Sequence, residues 1–452
     1  MSNYQFDLIV IGTGPAASTV AKKCADDGKR VAIIESREFG GTCALRGCNP
    51  KKVYSNAGDL IDRVRGANGK LIESADAHLN WQALSDFKNQ FTKSVPEIAE
   101  KSFKKRGIET FHGAGVFTGP NTVRVGEQEL TGERIFIGVG ARPRPLEIPG
   151  AENAILSDQF LELSEIPKQI VFIGGGYISM EFACVAARYG SNVTVLQRGD
   201  SVLKQFDRDL VAQLTEYSAN HGLIIHTESD VKAIEMSDDL SMVVRYQTSG
   251  NPASLEARLV VHGAGRVPNL HGMNLEAGEV TYGKKGIEVD AFMRSVSNAN
   301  VFAGGDCANS GKPALTPTAN EEARIVVKNL FAEKPEHKPD YGIIPQVAFT
   351  VPVIASIGMS QVEAEQSHDV DVRYKDTSSW NSVRKSGQRC AGYKVLIDKN
   401  TDQILGAHLL GPAAEETINL FALAMKHGLT ATDMKSTLFA YPTFGADVRL
   451  MI

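Results

Sequence analysis

One arrangement occurs twice in this chain and restricts its fold more than any other feature: a β-rich run, a glycine turn, a helical stretch and a second β-rich run. In the first copy FDLIVI, residues 6 to 11, reads as a strand, GTGPAA as the turn, the stretch through Ala25 as the helix, and RVAIIE, residues 30 to 35, as the second strand. Strands joined through a helix pair in parallel, so the chain is predicted to be α/β. A G-x-G-x-x-A turn in this context lets the backbone approach a pyrophosphate at a helix N-terminus. Glu35, 23 residues after Gly12, stands where a carboxylate accepts hydrogen bonds from an adenosine ribose. Gly12, Gly14, Pro15, Ala16 and Glu35 are therefore candidate dinucleotide ligands, against the alternative of a nucleotide-free α/β turn.

The second copy is QIVFIGGGYISMEFACVAARYGSNVTVLQR, residues 169 to 198. Gly174, Gly176 and Ser179 take the fingerprint places, Tyr177 and Ile178 open the helix, and Asn192 to Leu196 is the second strand. The same 23-residue step from Gly174 reaches Gln197, with Arg198 next and Lys204 six further on. This copy lacks the acid that would repel a 2′-phosphate and supplies cations that pair with one, which favours NADPH over NADH. The alternative is that Arg198 and Lys204 are solvated surface charges.

Two dinucleotide folds in one chain imply one tightly held cofactor and one exchangeable one. In VFAGGDCANSGKPALTPTA, residues 301 to 319, a strand delivers Asp306 at its end, where an acid can bind a ribityl hydroxyl of a flavin. That returns the chain to its first domain. The last third, from about Tyr341, alternates strand-like and helical runs and reads as a separate α+β domain. The 452 residues exceed what one core supports, in line with several domains. The expected partition is 1–150 with 270–335, 151–269, and 340–452.

The net charge of -5 is spread without a basic block, so neither nucleic acid nor anionic membrane is an expected partner. Apolar runs are strand-length, and no basic segment precedes an apolar one at the N-terminus, so a cytoplasmic setting is expected. In such a reducing compartment a cysteine pair is more often catalytic or metal-binding than a staple. GGTCALRGCNPKK, residues 40 to 52, holds Cys43 and Cys48 five apart. On a regular helix that spacing is roughly 8–9 Å, beyond the ~7 Å a disulfide tolerates, so bridging needs an irregular turn. Gly40, Gly41 and Gly47 supply the freedom for one. Zinc would need further ligands that no second cysteine pair or nearby histidine supplies, and no metal site is expected; two unpaired thiols are the other alternative.

With GTGPAA, GVGARPRP (138 to 145), GGGYISMEFA, GAGRVPN (263 to 269), FAGGDCA and the final YPT, this segment resembles the class I pyridine nucleotide-disulfide oxidoreductases, the family of glutathione reductase, dihydrolipoamide dehydrogenase and mercuric reductase. The resemblance covers nearly the whole chain. It implies two Rossmann-like domains, FAD in the first and NAD(P)H in the second, plus an α+β C-terminal domain that makes a homodimer. It implies that Cys43 exchanges with a substrate and that Cys48 lies against the flavin as the charge-transfer thiolate. Lys51 matches the lysine beside flavin N5, Glu181 the glutamate that pairs with it, and Tyr177 the ring that moves aside for nicotinamide. Gly41, Thr42, Lys52, Gly115, Gly140, Thr316 and Gly265 are further cofactor-binding positions by the same resemblance. Cys24, Cys184 and Cys390 read as small packing residues, and Cys307 has no assigned role.

The chain departs from the family where disulfide-reducing members carry His-Pro-Thr-x-x-Glu, the histidine acting in the other subunit's site. Tyr441 stands in the histidine place, Ala446 in the glutamate place and Asp447 one position late. A phenol with pKa near 10 does not take up a thiol proton near neutral pH as an imidazole does. His408 and His427 are remaining candidates for a base, each also readable as a packing or surface histidine. The expected function is an FAD-dependent NADPH oxidoreductase that passes electrons to a Cys43–Cys48 disulfide and on to a small oxidant or disulfide in the manner of glutathione reductase. A mercuric-reductase-like or quinone- or electrophile-reducing enzyme, or a non-turnover redox sensor, stays open.

Overall fold

The computed structural model describes residues 4–237 and 241–452, and these form two compact units. The first comprises 1–50, 89–144 and 266–341. Strand β1 (Phe6–Ile11), helix α1 (Pro15–Asp26) and strand β2 (Val31–Glu35) reproduce the first predicted repeat. β1 and β2 pair in parallel with Leu8 opposite Val31 and Ile11 opposite Ile34. The sheet runs in the order 109–112, β2, β1, 128–137, 122–125, 115–119, and strand Val301–Ala303 joins 128–137 in parallel. Leu8, Ile9 and Val10 are fully buried, so β1 beyond Asp7 is apolar on both faces, as expected of a central parallel strand covered on both sides. Each such side chain contributes about 1.5–3 kcal/mol.

The second unit comprises 51–88, 145–265 and 342–452. A parallel sheet in the order 223–226, 192–196, 169–173, 259–262, 155–156 carries the second repeat, with helix Tyr177–Tyr189 between Gln169–Ile173 and Asn192–Leu196. A three-stranded antiparallel sheet follows (229–236, 242–248, 251–257). The C-terminal segment is a five-stranded antiparallel sheet in the order 346–348, 354–358, 404–410, 392–398, 370–376, with helix Ala414–Lys426 against it. The architecture is the expected one: two Rossmann-like regions and an α+β C-terminal domain.

The two compact units divide the chain differently from the expected partition. Residues 51–88, read as part of the first domain, pack in the second unit. Their anchors are remote in sequence: Tyr54 and Trp81 are buried in its core, and Asp62 Oδ1 lies 3.1 Å from Arg188 Nε with both side chains inaccessible. At Gly66 a Cβ would fall 1.8 Å from the Gly387 carbonyl oxygen, so only glycine allows this approach. The expected segments 151–269 and 340–452 both lie within this unit.

Candidate functional site

The first glycine turn is built for backbone approach. Gly12 has φ +104°, and a Cβ there would lie 2.5 Å from Gly138 O. Gly14 is the N-cap of the 12-residue α1 and offers no side-chain cap, so the helix N-terminus keeps its outward amides free of protein capping. A Cβ on Gly14 would meet nothing within 4 Å, whereas one on Gly41 would lie 2.5 Å from Gly14 Cα. Pro15 and Ala16 are the first residues of α1. At the end of β2, Glu35 accepts from Thr13 Oγ1 at 2.5 Å and from Arg37 N at 3.0 Å. An uncapped helix start, a Cβ-free cradle and a carboxylate at the neighbouring strand end fit a dinucleotide such as FAD.

Asp306 follows strand Val301–Ala303 in the same unit. Burial raises its carboxyl above the usual range, against the Arg266 guanidinium. Gly140 has φ +65° with open space beside it, and Thr42 is exposed on helix α2 (Gly41–Leu45). Gly115 is buried in strand Gly115–Gly119, where a Cβ would lie 3.1 Å from Ile11 Cγ2. Its absent side chain is thus explained by packing on β1.

Cys43 lies in α2 and Cys48 opens helix α3 (Cys48–Ala67), with the helix broken at Arg46 and Gly47. This break brings the two Cα atoms to 4.7 Å and lets the disulfide form. The irregular turn inferred from the spacing is therefore an interruption between two helices. Both cysteines are half-buried. Thr316, at the start of helix Thr316–Asn329, places Oγ1 3.5 Å from Cys43 Sγ and 3.6 Å from Cys48 Sγ. The other four cysteines are buried free thiols. Burial pushes Cys24, Cys307 and Cys390 up to about 12 and raises Cys184 as well, which keeps them protonated and unreactive.

In the second unit Glu181 collects two cations. Its Oε2 is 2.9 Å from Lys51 Nζ and 3.2 Å from Lys52 Nζ, and its Oε1 accepts from Phe349 N at 2.9 Å. Burial pushes the Glu181 carboxyl up, but Lys51, Lys52 and the Phe349 amide outweigh it and hold it below the usual range. Lys51 Nζ also sits 4.5 Å from the Tyr177 ring centroid, and Lys52 Nζ 3.7 Å from that of Phe349. Burial, with Lys51 adding to it, pulls the Lys52 ammonium down to about 8 against the opposing pull of Glu181.

The second glycine turn mirrors the first. Gly174 has φ +94°, and its Cβ would lie 2.6 Å from Ala264 Cα. Gly176 is an uncapped N-cap, Ile178 is half-buried in the helix it opens, and Ser179 packs on Gly263 so closely that a Cβ there would meet Ser179 Oγ. Gly265 has φ +105°. Gln197, in the acid's place, turns back to accept from Gly175 N at 2.8 Å. Arg198 is exposed beside it, and Asp200 lies 3.5 Å from Lys204 and 3.0 Å from Arg208. The cationic rim, with a free helix N-terminus and no acid in the ribose place, fits NADPH.

Near the C-terminus Tyr441 is 87% and Leu438 89% exposed. Burial raises the Asp447 carboxyl. His408 is buried between Ser356 Oγ and Met359 O, each 3.0 Å from a ring nitrogen, and His427 caps helix Ala414–Lys426. Neither His408 nor Asp447 is placed as an exposed base. Two contacts escaped the sequence reading: Lys52 on Glu181, foreshadowed only by the Lys-Lys doublet, and Thr316 on the disulfide.

The family description Pyridine nucleotide-disulphide oxidoreductase matches residues 6–323, and its dimerisation domain matches 344–452. A glutathione reductase of Nostoc sp. is 31% identical, covering 97% of this chain and 98% of its own. A trypanothione reductase of Trypanosoma congolense is 30% identical, covering 97% and 93%. Among solved structures, the Cu(II) complex of the HOCl-induced flavoprotein disulfide reductase RclA from Escherichia coli superposes with a TM-score of 0.88 at 25% identity, covering 98% of this chain and 99% of that one.

Proposed function

Because the chain belongs to the pyridine nucleotide-disulphide oxidoreductase family, whose FAD and NADPH chemistry it shares, we propose that it reduces a small disulfide of the glutathione type through Cys43 and Cys48. The observation that carries this reading is the half-exposed Cys43–Cys48 couple in a chain whose other cysteines are all buried. When bound, FAD would supply the two-electron chemistry that links NADPH to the disulfide. Gly12, Gly14, Gly41, Glu35 and Asp306 would hold FAD, and Gly174, Gly176, Arg198 and Lys204 would hold NADPH. Lys51, oriented by Glu181, offers a cation where negative charge develops. Tyr177, whose ring lies 4.5 Å from Lys51 Nζ, would be the ring that gives way to nicotinamide.

In the exchange half-reaction the Cys43 thiolate attacks one sulfur of the substrate disulfide, forming a mixed disulfide and releasing one thiolate. The Cys48 thiolate then attacks Cys43 Sγ, restores the Cys43–Cys48 bond and releases the second thiolate. The proton retained by the reduced cysteine pair and one proton from solvent neutralise the two leaving thiolates. The exposed Leu438 and Tyr441 support a homodimer in which this segment serves the partner's site. Buried free thiols beside one accessible couple suit a cytoplasmic, reducing compartment.

A second reading, reduction of an oxidising metal ion such as Cu(II), is favoured by Tyr441 in the base place, because electron transfer to a metal ion needs no proton donor. The RclA structure, a Cu(II) complex, lends it support. Steady-state NADPH oxidation with glutathione disulfide, lipoamide, a quinone and Cu(II) or mercuric ion tests both. Rapid turnover of a disulfide that is lost in Cys43→Ser supports the first reading. Slow disulfide turnover beside rapid metal turnover replaces it with the second.

A further inference from the structure

We propose that Lys394, on the C-terminal sheet, is a positioning residue for NADPH: it fixes the segment from which Lys204 would meet the 2′-phosphate. The inference rests on the reading of the second glycine turn as the NADPH site. All the residues it uses lie in the second unit. Strand Gly392–Asp398 is buried at every residue, and the Lys394 side chain is 4% accessible. Its Nζ lies 2.8 Å from Asp207 Oδ2, whose side chain is 6% accessible, and also pairs with the more exposed Asp209. A buried ion pair gives little net stability over apolar side chains of similar volume, so stability alone does not account for a lysine here.

The same carboxylate caps a helix. Asp207 is the N-cap of helix Arg208–Ala219, where Oδ1 accepts from Asp209 N at 3.1 Å and from Leu210 N at 3.2 Å while Oδ2 faces Lys394. Lys204 stands three residues upstream. Directly before it, Leu203 is buried with φ +48°, a conformation leucine rarely adopts, and its amide donates to Gly175 O in the glycine turn at 2.9 Å. Lys204 is therefore held on one side by the turn and on the other by Asp207 through Lys394. Between these anchors its Nζ lies over the loop backbone: a Cβ on Gly199 would fall 2.5 Å from it and 3.1 Å from Gln197 Nε2, in the acid's place. Without Lys394 the downstream anchor of Lys204 is lost, whereas the glycine turn stays packed on Gly263 and Ala264. Recognition of the 2′-phosphate then weakens while the rest of the nucleotide keeps its site.

The test uses adenosine 2′,5′-bisphosphate and adenosine 5′-monophosphate, which differ only in the 2′-phosphate, titrated calorimetrically into the FAD-loaded protein so that the first turn is occupied. Wild type, Lys394→Met and Asp207→Asn are compared. Asparagine still caps the helix through its oxygen, but its amide donor then faces the ammonium and the link is broken. Wild type is expected to favour the bisphosphate. Each variant is expected to lower that preference by about fivefold or more, the lower end of couplings between distant groups, with the monophosphate bound as in wild type. Asp207→Asn decides alone if Lys394→Met does not fold. An unchanged preference in either folded variant, or an equal loss for both nucleotides, overturns the proposal and leaves the NADPH reading standing. A wild type that binds the two nucleotides equally overturns the NADPH reading and the proposal with it.

Discussion

Replacing Glu181 by glutamine removes one charge from a buried ionic cluster of the second unit. The carboxylate is 1% accessible and Lys51 is 7% accessible. The glutamine Oε1 can still accept from Phe349 N, so that hydrogen bond stays. What is lost is the counter-ion of a buried ammonium, and breaking a buried pair on one side costs about 3–5 kcal/mol. Lys52, 33% accessible, can turn to water, so the lower end, about 3 kcal/mol, is expected. For a chain of this size that corresponds to a fall in Tm of about 3–5 °C. Circular dichroism melts of the FAD-loaded protein measure it, with flavin release followed in parallel because bound FAD itself raises Tm. The double variant Lys51→Met, Glu181→Leu should recover most of the loss, since no lone charge is left buried. A loss below about 0.5 kcal/mol for Glu181→Gln, the size of an ordinary surface change, or a double variant weaker than the single one, refutes the reasoning.

Lys52 is held near 8 in the folded protein against 10.5 ordinarily, so the unfolded chain binds more protons between those values and stability rises as pH climbs from 8 to 10.5. Lys52→Met should abolish that rise in denaturation profiles, and an unchanged profile contradicts it. Arg198→Glu should raise KM for NADPH at least about tenfold more than for NADH, the loss of a charge-assisted phosphate contact; equal changes remove the phosphate argument. Tyr441→His should speed disulfide turnover at neutral pH with little effect on a metal or quinone acceptor. No gain would mean that the absent imidazole does not limit the rate.

The glycine turns were legible because their chemistry is local. Gly12 and Gly174 need positive φ between a strand and a helix, and no other residue adopts it cheaply there. The interruption at Arg46 and Gly47 followed from helix geometry, since five residues of regular helix hold cysteines too far apart. Lys51 with Glu181 was reached through resemblance. Lys52 on the same carboxylate was not, because the partners are 129 residues apart and either lysine of the doublet satisfies a sequence pattern. The grouping of 51–88 with the second unit was not legible for a similar reason: the Arg188 and Gly387 contacts that fix those residues leave no periodic signal near residue 60. Thr316 was read as a cofactor contact because only the folded chain brings it over the sulfurs.

The central claim is that NADPH electrons open the Cys43–Cys48 disulfide. Anaerobic addition of NADPH to the FAD-loaded protein, followed by alkylation and peptide mapping, addresses it directly. Label on Cys43 and Cys48 only after NADPH, with a long-wavelength absorbance that Cys48→Ser abolishes, is the predicted result. Label on neither cysteine, or only on Cys24, Cys184, Cys307 or Cys390, would contradict it.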